Sequence, residues 1–87
     1  MTNIEHLIRL ANRIGYFFEA MPDRTASVDG IADHIRRFWD PRMRLALLDY
    51  LHGHPDGRWG ETALTPICLE AIERHRDRLY PPQTTAA

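Results

Sequence analysis

No lysine occurs in this 87-residue chain, so all eleven basic residues are arginine, and a single cysteine, Cys68, excludes an internal disulfide. There is almost no net charge. Twelve acidic residues against eleven basic ones give −1 and a pI near 6.5, which excludes an overall positive field that would hold nucleic acid or membrane nonspecifically. The longest aliphatic run, Leu45 to Leu48, falls far short of the roughly 20 apolar residues of a membrane span. The opening MTNIEHLIRLANR is interrupted by charge where a signal peptide is apolar, and a cytoplasmic location is expected. Also missing are a Gly-x-Gly-x-x-Gly turn, a phosphate-loop lysine and any sequence signature that activates the lone thiol. The chain is therefore expected to be no enzyme by itself and to hold no cofactor. No strand-like alternation is long enough to build a sheet.

What is present is a strong helical periodicity. At 44% hydrophobic residues, a chain this short builds one small domain with a thin core. An all-α domain of four helices in a compact bundle is predicted, near 3–21, 26–39, 41–52 and 65–79. The domain is expected to span 1–80, with a disordered tail at 81–87. In the first helix Ile4, Leu7, Ile8, Ala11, Ile14, Phe18 and Met21 share one side, with Leu10 and Phe17 widening it. Thr2 and Glu5 have capping-box spacing, and Pro22 ends the helix. The second helix starts with Thr25 or Ser27 as cap and carries Val28, Ile31, Ala32, Ile35, Phe38 and Trp39 inward; Gly30 weakens it slightly. Asp40-Pro41 caps and opens the third, in which Met43, Ala46, Leu47, Tyr50 and Leu51 form one stripe while Leu45 and Leu48 point nearly opposite. Residues 52–63 form a loop with Trp59 as a lid. Thr65-Pro66 opens the fourth helix, with Ile67, Cys68, Ala71, Ile72, His75 and Leu79 on its inner face. The predicted core is Ile8, Ile14, Phe18, Ile31, Ile35, Phe38, Trp39, Leu47 and Ile72.

The most conspicuous cluster is Arg36-Arg37-Phe38-Trp39-Asp40-Pro41-Arg42-Met43-Arg44. Arginine bonds phosphate bidentately and aromatic rings stack on bases, so a small helical nucleic-acid-binding or regulatory protein is one alternative. Against it, Phe38 and Trp39 fall on the core stripe, and Asp33 stands four residues before Arg37 as an ion-pair partner. Arg42 and Arg44 have no acid but Asp40 within a turn, and with Leu45 and Leu48 they suit a protein interface. His52-x-His54 lacks the paired short-spaced ligands of a structural zinc site, so no metal is expected.

Three blocks resemble a known family. They are Ala11-Asn12-x-Ile14-Gly15-x-Phe17-Phe18 with Met21-Pro22-Asp23-Arg24; Ile31-Ala32-x-His34-Ile35-Arg36-Arg37-Phe38-Trp39-x-Pro41-Arg42-Met43-Arg44; and Leu64-Thr65-Pro66-Ile67 with Ala71-Ile72 and His75. Together they span residues 11–75 and are similar to the delta subunits of cytoplasmic NAD-dependent molybdenum formate dehydrogenases. The resemblance implies a noncatalytic accessory subunit that stabilises the catalytic alpha subunit or assists its assembly and cofactor loading. It implies beta and gamma subunits in the same complex. The cofactors would belong to those partners: molybdenum pterin guanine dinucleotide and iron–sulfur clusters in alpha, FMN and further clusters leading to NAD in beta and gamma. The expected docking residues are Arg42, Arg44, Leu45 and Leu48, with Arg36 and Arg37 adjoining and Leu10 and Phe17 as a second contact. A maturation role, with these arginines meeting the phosphates of the pterin dinucleotide, is the alternative within the family.

Overall fold

In the computed structural model, which describes residues 3–81, the chain runs α1 (Ile4–Glu19), α2 (Arg24–Phe38), α3 (Pro41–Gly53), β1 (Arg58–Trp59), β2 (Thr62–Ala63), α4 (Pro66–Arg74) and α5 (Arg76–Leu79). The protein is mostly helical, with a small two-stranded sheet. The boundaries are set by local capping. Asn3 caps α1, its carboxamide oxygen accepting from the His6 amide at 3.3 Å; the capping role expected of Thr2 lies outside the described residues, as does the tail from residue 82. Asp23, rather than Thr25 or Ser27, caps α2 and accepts from the Thr25 amide at 2.9 Å. Ser27 is buried instead, and its hydroxyl donates to the Phe18 carbonyl at 2.7 Å, tying the first turn of α2 to the end of α1. The Asp40-Pro41 corner forms as its chemistry predicts: Trp39 leaves the helix in an extended conformation and the Asp40 carboxylate accepts from the Arg42 amide at 2.7 Å.

The core lies where α1, α2, α3 and α4 meet. Ile8, Ile31, Ile35, Trp39, Leu47 and Ile72 are buried as expected, joined by Leu7, Val28, Leu48, Leu51, Leu64, Ile67, Cys68 and Leu79. Ile14 and Phe18 pack half-buried against its edge. Phe38 departs from expectation: it is 71% exposed. It stands three residues after Ile35, hence about 60° around the helix from it, and falls off the buried stripe onto the α1 flank.

Helices α1 and α4 approach closely at Gly15. A Cβ there would stand 2.5 Å from the Cys68 sulfur, so only glycine admits the contact as built. Cys68 donates to the Ala11 carbonyl one turn earlier, at 3.2 Å. Asn12 fixes the adjacent chain, donating to the Ala63 carbonyl and accepting from the Thr65 amide, both at 2.9 Å. In this way α1 holds both β2 and the start of α4. The expected loop therefore contains a hairpin, with Arg58 opposite Ala63 and Trp59 opposite Thr62. Gly60, with φ +59°, takes the first position of its two-residue turn, where a side chain would be strained.

The fourth predicted helix is two. His75, at φ −112° and ψ 24°, interrupts it, and its Nε2 lies 2.7 Å from Asp29 of α2. The redirected last turn, α5, packs on α2 and α3 and buries Leu79.

Candidate interaction surfaces

Two features stand out once the core is accounted for, and α2 carries one on each side of its buried stripe. On the α1 side, His34 and Phe38 are one turn apart and neighbour the aromatic end of α1. Phe17 and Phe18 meet edge to face at 5.1 Å, Phe18 and His34 at 6.3 Å, and His34 and Phe38 at 4.6 Å between ring centres. Gly30 makes this possible, since a Cβ there would lie 2.5 Å from the Phe18 ring. Phe17 is 75% exposed, and Tyr16 and Met21 are also exposed nearby in sequence. An open apolar cleft of about 310 Å³ lies between Arg13, Ile14, Phe17, Phe18 and His34. Side chains this large are ordinarily covered, and rings of this kind are enriched where proteins meet.

On the other side, Arg36 of α2, Arg44 of α3, Asp77 and Arg78 of α5, and Tyr80 line an open pocket of about 650 Å³. Arg44 is the unusual member. It is only 9% exposed, its Nε is shielded from solvent and has no acceptor among the described residues, and its stem lines a small internal cavity with Trp39, Leu48 and Leu79. Arg78 lies 3.9 Å from Asp33 and 3.4 Å from His75 Nδ1, so its charge is only loosely engaged.

The residues expected to form one docking patch do not share a surface. Leu48 is 2% exposed and Arg44 is buried, because α3, apolar on two faces, is covered on both: α5 closes the side on which they were expected to be free. Arg42 and Leu45 remain exposed, three residues apart on the outer side of α3. Arg37 is tied to Asp33 at 3.1 Å, as its spacing predicts. Leu10 is half-buried against the core, while Phe17 is open to solvent. With Arg37 paired and Arg44 enclosed, the arginines of the second block do not form a continuous cationic stripe. Trp59 does not close over a site; it lies half-exposed beside Tyr50, whose hydroxyl donates to the Arg58 carbonyl. His54 stacks on Tyr50, with ring centres 4.1 Å apart.

Sequence reasoning missed the contribution of α5 to the cationic pocket and the aromatic chain through His34. The second was within reach, since His34 and Phe38 are a turn apart. Cys68, the one thiol, is fully buried, and burial pushes its pKa up, an effect that the neighbouring polar groups of Thr65 and Gly15 only partly offset; it is poorly placed as a nucleophile. No described helix is long and apolar enough to cross a membrane.

A protein-family model described as NADH-dependent formate dehydrogenase delta subunit FdsD matches residues 6–72. No curated protein and no solved structure matches the chain. The matched span runs from the first turn of α1 to Ile72 in α4 and takes in the Asn12 clamp, the Gly15 contact and the Trp39 corner.

Proposed function

Because the chain belongs to the family of NADH-dependent formate dehydrogenase delta subunits, we propose that it is a noncatalytic accessory subunit that docks on the catalytic alpha subunit through the Phe17–His34–Phe38 face. The observation that carries this reading is the exposure of two phenylalanines held in a packed aromatic row. At 75% and 71% exposed, two rings of about 200 Å² each would remove roughly 290 Å² from water on docking, or about 7 kcal/mol before the costs of association. Nothing comparable is available on α3, where only Leu45 is open beside Arg42.

In this reading the chain contributes surface and no reagent. The pterin, iron–sulfur and flavin chemistry belongs to the alpha, beta and gamma subunits in the cytoplasm, and one buried thiol supplies no cluster ligand set here. A subunit that binds only the assembled catalytic partner stabilises it by mass action, by about 2.7 kcal/mol at a hundredfold excess over Kd. Stabilisation of the alpha subunit during assembly and cofactor loading follows from the same linkage.

The test is copurification of tagged alpha subunit with the Phe17→Glu/Phe38→Glu variant. Both side chains face solvent, so the isolated variant is expected to melt close to wild type while its recovery with alpha falls at least about tenfold. Undiminished recovery refutes the docking face. A parallel Arg42→Glu/Leu45→Asp variant is expected to be retained; its loss would move the interface to α3.

A further inference from the structure

The pocket between α2, α3 and α5 is independent of the aromatic face, and its chemistry is different. Three arginines, Arg36, Arg44 and Arg78, line it together with Asp77 and Tyr80. The lining itself carries three positive charges against one negative, with Asp33, already paired to Arg37, reaching Arg78 only at 3.9 Å. Surface arginines often have no partner, and Arg36 alone would mean nothing. Arg44 differs because burial has removed most of its water. A guanidinium so enclosed is costly unless its donors are met, and its Nε has no acceptor among the described residues. The neighbouring groups do not neutralise it either: Arg36 and Arg78 add repulsion, and none of the hydrogen bonds or ion pairs formed among the described residues by Asp33, Asp77 or the other acids reaches Arg44.

We propose that this pocket is an anion site for a doubly charged phosphate group, a phosphate monoester or diphosphate, with Arg44 as its buried anchor and Arg36 and Arg78 closing on it from opposite helices. Phosphate fits better than a single carboxylate on three grounds. Its two charges match the net positive charge of the lining side chains. It offers enough acceptor oxygens for three planar forks, each of which bonds such a group in bidentate fashion. The space, about 650 Å³ and open, exceeds what one carboxylate fills. Asp77 serves as a selectivity element, since a carboxylate at the rim penalises weakly bound anions that cannot engage Arg44.

The full-length chain suffices for the test, with inorganic pyrophosphate and glutarate as probes at about pH 6, where each carries about two negative charges but presents different acceptor geometry. Titration would follow the Arg44 side-chain Nε–H resonance at constant ionic strength. Pyrophosphate is expected to give a saturable shift with a midpoint at or below about 1 mM, and glutarate one at least about tenfold weaker. Arg36→Gln and Arg78→Gln, both at exposed side chains, are each expected to raise the pyrophosphate midpoint by about tenfold without lowering the melting temperature. Asp77→Asn is expected to lower it severalfold, a gain that a merely structural role would not produce. Arg44→Lys keeps the charge and loses the fork, and is expected to weaken binding; if it fails to fold, the rim variants carry the result. No saturable shift by about 10 mM overturns the site. So does an equal response to both probes, which is charge screening alone, or a midpoint unmoved in Arg36→Gln and Arg78→Gln. Any of these outcomes leaves the docking face untouched.

Discussion

Placing a methyl group at Gly15 tests the closest approach in the fold. An alanine there gains about 1 kcal/mol of helix propensity. It also sets its Cβ 2.5 Å from the Cys68 sulfur, more than 1 Å inside ordinary contact. The sulfur has little room to yield: it is fully buried, sits on a one-bond side chain and donates to the Ala11 carbonyl. Overpacking of this kind costs about 1–3 kcal/mol, so with the propensity gain Gly15→Ala is expected to lose about 0–2 kcal/mol. Cys68→Ala alone removes one buried heavy atom and should also cost about 1–2 kcal/mol. In the double variant the new methyl occupies the space the sulfur left, and the propensity gain survives. The double variant should therefore be more stable than the sum of the singles by about 2 kcal/mol, a coupling typical of side chains in contact. Urea unfolding followed by the fluorescence of buried Trp39 measures all four corners, with a constant m-value as the check on two-state behaviour. Additivity within about 0.5 kcal/mol would refute the shared contact. Gly30→Ala is the contrast. Its Cβ also meets a neighbour at 2.5 Å, but that neighbour is the half-exposed Phe18 ring, which can swing outward. Its stability should change by less than about 1 kcal/mol.

Three further outcomes follow. Trp39 is buried at the α2–α3 corner, and Trp39→Ala should cost about 3–5 kcal/mol in chemical denaturation; an unchanged transition would remove it from the core. Because burial raises the pKa of Cys68, its thiol should resist alkylation at pH 8 in native protein at a rate set by unfolding, and react at once in denaturant. The same shift has a sign in stability. The folded state holds the thiol proton more tightly than the unfolded state, so this contribution is complete below the unfolded thiol pKa of about 8.5 and is lost as pH rises toward the folded value. Wild type should thus lose stability between pH 8 and 9.5 more steeply than Cys68→Ala, and parallel slopes would contradict it.

What the sequence discloses about this fold is what depends on neighbours within a turn. Asp40-Pro41 predicts its own corner because the cap and the first-turn proline act on adjacent amides. The same is true of the Glu5–Arg9, Asp33–Arg37 and Glu70–Arg74 ion pairs, which form at the spacing that predicts them. Phe38 could not be placed this way. An apolar residue at the margin of a helical stripe is buried only if another element extends that far, and here the α1 side ends in a half-exposed row of rings. Asn12 was equally silent, because its clamp on Ala63 and Thr65 joins residues more than fifty positions apart.

The misplacement of Leu48 and Arg44 is more instructive, since the requirement was visible and only its solution was not. A helix apolar on two faces has to be covered twice. With α1 on one side of α3, something else had to close the other. Among residues 76–87 the one large aliphatic side chain is Leu79. A continuous fourth helix already carries Leu79 on its inner face; the break at His75 sets the last turn against α2 and α3, where Leu79 is buried. That break also brings Arg78, Asp77 and Tyr80 around Arg44. The step that completes the core and the step that builds the cationic pocket are therefore the same turn of chain. Substitutions that straighten the chain at His75 should uncover Leu48 and disperse the three guanidiniums together.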